Sequence, residues 1–263
     1  MKLLFVGDII GRPGRTALRN LLPRLVDRHR ADYVVVNVEN SAGGFGVTPE
    51  VMAEIADLPI DCYTTGNHVW DKKEGVEILD REPRLLRPAN YPAGNPGTGV
   101  YVGETAAGVP VATLNLEGRV FMEYLDSPFQ VADRLLGELR RDVKVVFVDF
   151  HAEATSEKQA LAFYLDGRVS AVVGTHTHVP TADERILPGG TALLTDVGMT
   201  GPYESIIGMR ADKVVRRFLL QTRAPFEVAK RDVRLAAVVV EIDETTGHAQ
   251  GIERLLIPDP SAG

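Results

Sequence analysis

Five apolar runs in this chain end in residue types that bind metal ions: Gly7-Asp8, Glu39-Asn40, Gly66-Asn67-His68, Asp149-Phe150-His151 and Gly174-Thr175-His176-Thr177-His178. Four of the six histidines fall in these segments. The donors are imidazole nitrogens and carboxylate or amide oxygens, without thiolate. That set suits iron, manganese or zinc ahead of a structural zinc site, and calcium or magnesium would call for fewer histidines. On an extended segment His176 and His178 point to one side with backbones roughly 6–7 Å apart. Each can then hold one of two ions about 3.5–4 Å apart. Asp8 follows a buried run, where a carboxylate is costly unless a cation pairs with it. Its other reading, as cap of a helix near Pro13, would place it slightly too early. Glu39 has two oxygens and can bridge two ions. Asn40 is either an oxygen ligand or a turn residue, and Asn67 is a neutral oxygen donor. His68 is either a ligand or a general acid facing the substrate. His151 is a ligand or a hydrogen-bonded core histidine. His29 and His248 lie in polar contexts and read as solvent-facing.

Such residues must be carried by elements that bring distant strand ends together. Runs of strand length occur at Leu3–Val6, Tyr33–Val38, Cys62–Thr65, Val109–Leu116, Val143–Phe150, Val169–Val173, Ala192–Thr195, Leu235–Ile242 and Gly251–Ile257. They are rich in valine and isoleucine without polar alternation, as expected of strands covered on both faces. Between the early strands, Leu18, Leu21, Leu22 and Leu25 mark one face of a helix from Pro13 to His29. Thr48-Pro49 and Ser127-Pro128 read as caps followed by first-turn prolines, and residues 156–165 form a further helix. The stretch Tyr91–Gly99, with its prolines and glycines, is loop. The order is β-α-β-α-β early and strand-rich late, which favours an α/β sandwich of two sheets flanked by helices. Open α/β sheets gather ligands at the carboxyl ends of their strands, so the five endings are expected to converge.

Bulk properties narrow the function. A chain of 263 residues with 44% hydrophobic content fills one large domain, taken as residues 1–263. The formal charge of -7 argues against a stable nucleic-acid complex but leaves room for a small anionic substrate neutralised by metal ions. Cys62, the single cysteine, excludes an internal disulfide framework and reads as a small apolar strand residue. No segment approaches ~18 uninterrupted apolar residues, and Gly7-Asp8 interrupts the N-terminal run too early for a signal peptide. A cytoplasmic protein without a membrane partner is expected.

The strand-end segments resemble the calcineurin-like metallophosphoesterase superfamily, whose usual pattern is D-x-H, G-D, G-N-H-[DE], H and G-H-x-H. Here Ile10 stands where D-x-H has histidine, Glu39 replaces the bridging aspartate, and Val69 follows His68 where an acid is common. Three longer runs, Val38-Glu39-Asn40, residues 149–158 and residues 195–202, resemble the YmdB-like branch. This resemblance implies a four-layer αββα sandwich of two mixed sheets (the calcineurin-like phosphoesterase fold) and two transition-metal ions per chain, iron or manganese ahead of zinc. It also implies phosphodiesterase activity on cyclic nucleotides of the 2′,3′ type, and assembly as a homo-oligomer. By position, Asp8, Asn40 and His178 would hold one ion and Asn67, His151 and His176 the other, with Glu39 bridging and Asn40 compensating for Ile10.

The expected reaction is in-line attack on phosphorus by a hydroxide held between the ions, with His68 donating a proton to the leaving oxygen. Arg12 is a candidate phosphate contact or a solvated helix-end charge. Tyr203, beside Thr200-Gly201-Pro202, is a candidate stacking partner for a base or packs under its own loop. Rival readings are a phosphomonoesterase on the same scaffold and a sensing protein for metal and nucleotide with residual turnover. A serine ester hydrolase is disfavoured because Ile9 occupies the place where its nucleophile would stand.

Overall fold

A computed structural model of the chain describes residues 1–222 and 225–261. Its elements run β1 (Lys2–Val6), α1 (Gly11–His29), β2 (Tyr33–Asn37), α2 (Pro49–Ile55), β3 (Cys62–Thr64), α3 (Lys73–Val76), β4 (Val100–Glu104), β5 (Pro110–Glu117) and α4 (Pro128–Glu138). There follow β6 (Val145–His151), α5 (Thr155–Leu165), β7 (Ala171–Thr175), β8 (Arg185–Ile186), β9 (Ala192–Leu194), β10 (Gly201–Pro202), α6 (Ala211–Leu220), β11 (Val233–Ile242) and β12 (Ala249–Pro258). A 3₁₀ turn at Asn67–Trp70 follows β3.

Two mixed sheets result. In the first, β1, β2 and β3 are parallel, and antiparallel β11 joins β1 on its other side. In the second, β5, β6, β7 and β9 are parallel, with β4 and β8 antiparallel at the edges. The period of two along each strand builds the layers. Leu4 and Val6 pack with Leu18, Leu22 and Leu25 of α1, while Leu3 and Phe5 face the opposite way, toward Val145, Phe147 and Val173 of the second sheet. On that sheet's far face, Val146 and Val148 pack with Val131 and Leu135 of α4 and Leu161 and Leu165 of α5. The fold is therefore the four-layer αββα sandwich of the calcineurin-like phosphoesterases, and the uniformly apolar strands are those covered on both faces. Phe5 and Phe147 join the sheets, with ring centroids 4.9 Å apart.

The capping signals divide. Thr48 Oγ1 accepts from the Val51 N–H at 3.4 Å, whereas Ser127 makes no capping hydrogen bond and Pro128 alone sets the start of α4. His29 is not solvent-facing: its side chain is 13% exposed and lies 3.7 Å from Glu253 on β12. The α3, α6, β4, β8 and β10 elements had no clear periodic signal; three are very short, and β4 and α6 lie at an edge or largely exposed.

The central aromatic contact makes a test of the two-sheet core. Phe147→Ala is expected to lower unfolding stability by about 3–5 kcal/mol, read from urea unfolding; a change below about 1 kcal/mol would show that the inter-sheet layer collapses around the gap.

Candidate metal centre

The parallel strands of both sheets end on one side of the sandwich, and their last residues meet there. Asp8, Glu39 and His151 are fully buried, and one ligand atom from each lies within 4.8 Å of the others. The His151 Nε2 lies 2.7 Å from Glu39 Oε2, 3.1 Å from Asn67 Oδ1 and 3.1 Å from His176 Nδ1. One ring nitrogen cannot serve three neighbours through a single hydrogen bond. Moreover, Asp8 Oδ1 and Asn40 Oδ1 are buried without a hydrogen-bond partner among the described residues, and Glu39 Oε2 has only the shared His151 nitrogen beside it. Buried oxygens left in this condition are costly, and a cation removes the cost.

Tautomers point the same way. His151 Nδ1 lies 2.9 Å from Thr175 Oγ1, and that hydroxyl donates at 2.7 Å to Asp149 Oδ1. The threonine proton is thus committed, so Nδ1–H must donate to it and Nε2 is left to face Glu39, Asn67 and His176. Likewise His178 Nδ1 donates to the Ile207 carbonyl at 3.0 Å, which leaves Nε2 facing the Asn40 amide at 3.1 Å. His176 Nε2 lies 3.2 Å from Glu153, and its Nδ1 faces His151. Nitrogen lone pairs and unpartnered oxygens therefore converge, and nitrogen-oxygen donor sets of this kind fit a first-row transition metal.

Without metal, protons carry part of this load. Burial opposes a charge on His151, but Glu39, then Asp8 and Asp149, draw its pKa up to about 9. Burial also opposes ionisation of Glu39, yet His151 and the His68 N–H hold it down to about 2. Burial, then repulsion from His151, holds His176 down to about 3. Burial raises Asp8 and lifts Asp149 to about 7. Glu117, paired beside His151 in the sheet and with both oxygens unpartnered, is pushed by burial to about 8.

His176 and His178 reach the cluster by a different backbone from the expected extended one. Their φ angles are +96° and +66°, in the left-handed region that non-glycine residues rarely adopt. Such strain persists only where surroundings hold it. Here Asp196 accepts from Thr177 N and Oγ1 at 3.2 and 2.7 Å, pinning the residue between the two histidines. Asp196 is held in turn by buried Lys158 at 2.8 Å. Gly174 allows this: a Cβ there would lie 1.9 Å from the Thr195 carbonyl oxygen. Gly66 serves His151 in the same way, since a Cβ would fall 2.2 Å from its ring.

His68 stands at the edge of the cluster. Its backbone N–H donates to Glu39 Oε1 at 2.7 Å and its Nδ1 lies 2.8 Å from Asp71, while Nε2 makes no hydrogen bond among the described residues. It lines a cleft of about 450 Å³ together with Asn40, His176 and His178. Arg12 is exposed, forms no ion pair among the described residues and does not line that cleft. Tyr203 donates its hydroxyl to the Met199 carbonyl at 3.0 Å and carries Arg234 over its ring at 5.3 Å, so it packs under its own loop beside a smaller cavity next to His178. The 199–202 segment braces the site from behind: Thr200 N donates to the Asp8 carbonyl at 2.8 Å. Ile10, in place of a possible ligand, packs against Gly201 and Gly208.

Sequence reading assigned no role to Asp149, Lys158, Asp196 or Glu153. For Asp149 the available signal was a charge inside the otherwise apolar β6, whereas Lys158 lies among the polar residues that open α5 and carried none. Asp149 joins both sheets, accepting from Asn37 at 2.9 Å and from Thr64 on one, and from Thr175 on the other. Asn37 also accepts the Glu39 N–H at 3.0 Å, so one carboxylate orients both Glu39 and His151.

An αββα sandwich with a candidate metal-binding group of nitrogen and oxygen donors at its strand ends fits the class of calcineurin-like phosphoesterases. Within it, the model of the YmdB-like protein family matches residues 4–255, and the chain belongs to that family. It is 48% identical over 260 residues, covering 98% of both chains, to the 2′,3′-cyclic-nucleotide 2′-phosphodiesterase of Bacillus subtilis. A crystal structure of a hypothetical protein from Thermus thermophilus superposes with TM-score 0.93 at 42% identity, covering 99% of this chain and 100% of the other. One described as a novel phosphatase from Mycoplasma pneumoniae gives 0.91 at 36% identity, with 100% and 95% covered.

Two outcomes follow from the geometry. Asp149→Asn should weaken metal binding roughly 10–100-fold while the fold is retained, measured as metal per chain against a competing chelator; unchanged affinity would reduce Asp149 to a sheet cross-link. The metal-free protein should lose stability as pH rises from about 6.5 to 9. His151, raised to about 9, contributes fully below its unfolded value near 6.5 and ceases to contribute above about 9. Asp149 and Glu117, raised to about 7 and 8, act with the same sign. Urea midpoints at the two pH values read this, and a midpoint that rises with pH would contradict it.

Proposed function

We propose that this chain is a metal-dependent phosphodiesterase acting on nucleoside 2′,3′-cyclic phosphates. The observation that carries the reading is the set of buried oxygens of Asp8, Glu39 and Asn40 facing histidine nitrogens, those of Asp8 and Asn40 without a hydrogen-bond partner among the described residues, beside a cleft lined by Asn40 and His68. Similarity to the Bacillus enzyme across nearly the whole chain supports the substrate class. Asp8, Asn40 and His178 would hold one ion and Asn67, His151 and His176 a second, with Glu39 between them; iron or manganese suits these donors. When bound, such ions supply Lewis acidity toward water and phosphate.

The remaining work belongs to side chains. Asp8 and Glu39 fix the negative charge that draws the cations to the strand ends, and the histidine tautomers, set by Thr175 and by the Ile207 carbonyl, keep lone pairs aimed inward. His68 projects into the cleft with Nδ1 held by Asp71. With Nδ1 engaged there, Nε2 is the ring atom left to pass a proton to the departing ribose oxygen. No serine or cysteine nucleophile is required, and no covalent enzyme intermediate forms. Assembly as a homo-oligomer and a cytoplasmic location complete the proposal; no helix among the described residues is long and apolar enough to cross a membrane.

Hydrolysis of 2′,3′-cyclic AMP by protein reconstituted with manganese or iron tests this. Turnover should require metal and vanish in Glu39→Ala. His68→Ala should lose about 10²–10⁴-fold in kcat while keeping its metal. Loss of metal in His68→Ala would make that residue a ligand. Hydrolysis of a mononucleotide in place of the cyclic ester would assign a phosphomonoesterase.

A further inference from the structure

The cleft beside the cluster has a polar and an apolar part. Asn40, His68, His176 and His178 supply its chemistry, and Phe45, Phe226, Ile207, Met209 and Val179 supply the rest of its lining. Its volume of about 450 Å³ lies in the range of roughly 300–1,000 Å³ usual for small-molecule sites. Phe226, Ile207 and Val179 are 45%, 49% and 57% exposed, an uncommon grouping of large apolar side chains at one opening. The Phe45 ring centre is 4.9 Å from that of His68 and 5.9 Å from that of Phe226, so the aromatic pair begins directly beside the candidate proton donor. Arg217 lies over the Phe226 ring at 4.7 Å.

Ile207 has φ +46°, a costly conformation for a β-branched residue. Its carbonyl receives the His178 N–H, so one strained residue both orients a candidate ligand and adds apolar surface to the cleft. The polar side chains around this surface are already engaged. Thr177 donates to Asp196, Glu153 pairs with His176, and His68 Nδ1 with Asp71. The polar atoms that remain open, Asn40 Oδ1 and His68 Nε2, lie on the cluster side of the cleft.

We infer that Phe45 and Phe226 form the nucleobase subsite of this cleft, holding the base of a nucleoside 2′,3′-cyclic phosphate by stacking while its phosphate lies at the metal cluster. The inference rests on the phosphodiesterase reading above. A base fits as occupant because it is a flat apolar face joined by one ribose to the group that the cluster attracts. Stacking of this kind tolerates any base, since every base presents a π-face. The subsite should therefore prefer purines over pyrimidines modestly and distinguish adenine from guanine little.

The experiment compares adenosine 2′,3′-cyclic phosphate with the base-free 1-O-methylribose 2′,3′-cyclic phosphate on manganese-loaded protein. In Phe226→Ala, the ratio of kcat/KM for nucleotide over base-free ester should fall roughly ten- to hundredfold, chiefly through KM, and Phe226→Tyr should restore it. Phe45→Leu should lower the same ratio, which corrects for any disturbance of His68 because both substrates share that residue. An unchanged ratio in Phe226→Ala and Phe45→Leu overturns the subsite. So does an unchanged ratio accompanied by a lower subunit count in sedimentation, which would assign the surface to a second copy. Wild-type protein that cleaves both esters equally well loses the subsite but keeps the phosphodiesterase reading, whereas protein that cleaves neither loses both.

Discussion

Two carboxylates with no exposure, Asp8 and Glu39, set the terms for the rest of the molecule. Each sits where a parallel strand gives way to a loop; one Asp8 oxygen has no hydrogen-bond partner among the described residues, and one Glu39 oxygen has only the His151 ring nitrogen. A buried ion costs several kcal/mol even after relaxation, so a fold that retains two of them side by side must find compensation. Part comes from His151, which the carboxylates hold protonated when metal is absent. The same geometry, with two ring nitrogens 3.1 Å apart beside both carboxylates, would let a cation take the place of that proton.

Placing such a cluster between two sheets demands that the sheets hold a fixed register at that end. Apolar contacts such as Phe5 on Phe147 set the spacing but slide easily, because they are not directional. Directional cross-links supply the rest. Asn115 exchanges a pair of hydrogen bonds with the Thr65 backbone at 3.0 and 3.1 Å, and Asp149 reaches Asn37 and Thr64 on the opposite sheet. A fully satisfied polar network of this sort specifies one arrangement where an apolar core would accept several. The two long family runs, residues 149–158 and 195–202, meet in the Lys158–Asp196 pair. They brace the strained histidine loop and the Asp8 turn, and Thr200-Gly201-Pro202 accordingly does not line the cleft beside His68.

What could be read from sequence follows the range of the forces involved. Strands covered on both faces leave long valine-rich runs, so β1, β2, β5, β6, β7 and β11 were legible, as was the gathering of ligand-type residues at their ends. The short edge strands and α6 left no such mark, because little burial constrains their sequence. Donor types could be read at Asp8, Glu39, Asn67 and His151, yet the left-handed backbone of His176 and His178 could not. That conformation is imposed by Asp196 and Ile207, residues distant in the chain. Tyr203 was the natural aromatic to suspect beside a ligand-bearing loop, and the cleft instead collects Phe45 and Phe226, contributed by loops whose approach depends on tertiary packing.

The substitution at Ile10 shows how the two halves of the cluster come to differ. An imidazole there would have to share the space that Gly201 and Gly208 leave for an apolar side chain: a Cβ on either glycine would already lie within 2.9 Å of Ile10. The loop is thus built around isoleucine. What faces His178 in its place is Asn40, whose backbone carbonyl is fixed by the N–H groups of Gly11 and Gly44 at 2.9 and 3.1 Å. Turning the amide would carry its unpartnered oxygen toward the histidine nitrogen, at the position a cation would occupy. In the proposed arrangement the donors at Asp8, Asn40 and His178 would be richer in oxygen, and those at Asn67, His151 and His176 richer in nitrogen. Oxygen donors favour harder ions and imidazoles borderline ones, so two ions held here would experience unlike fields although Glu39 stands between them.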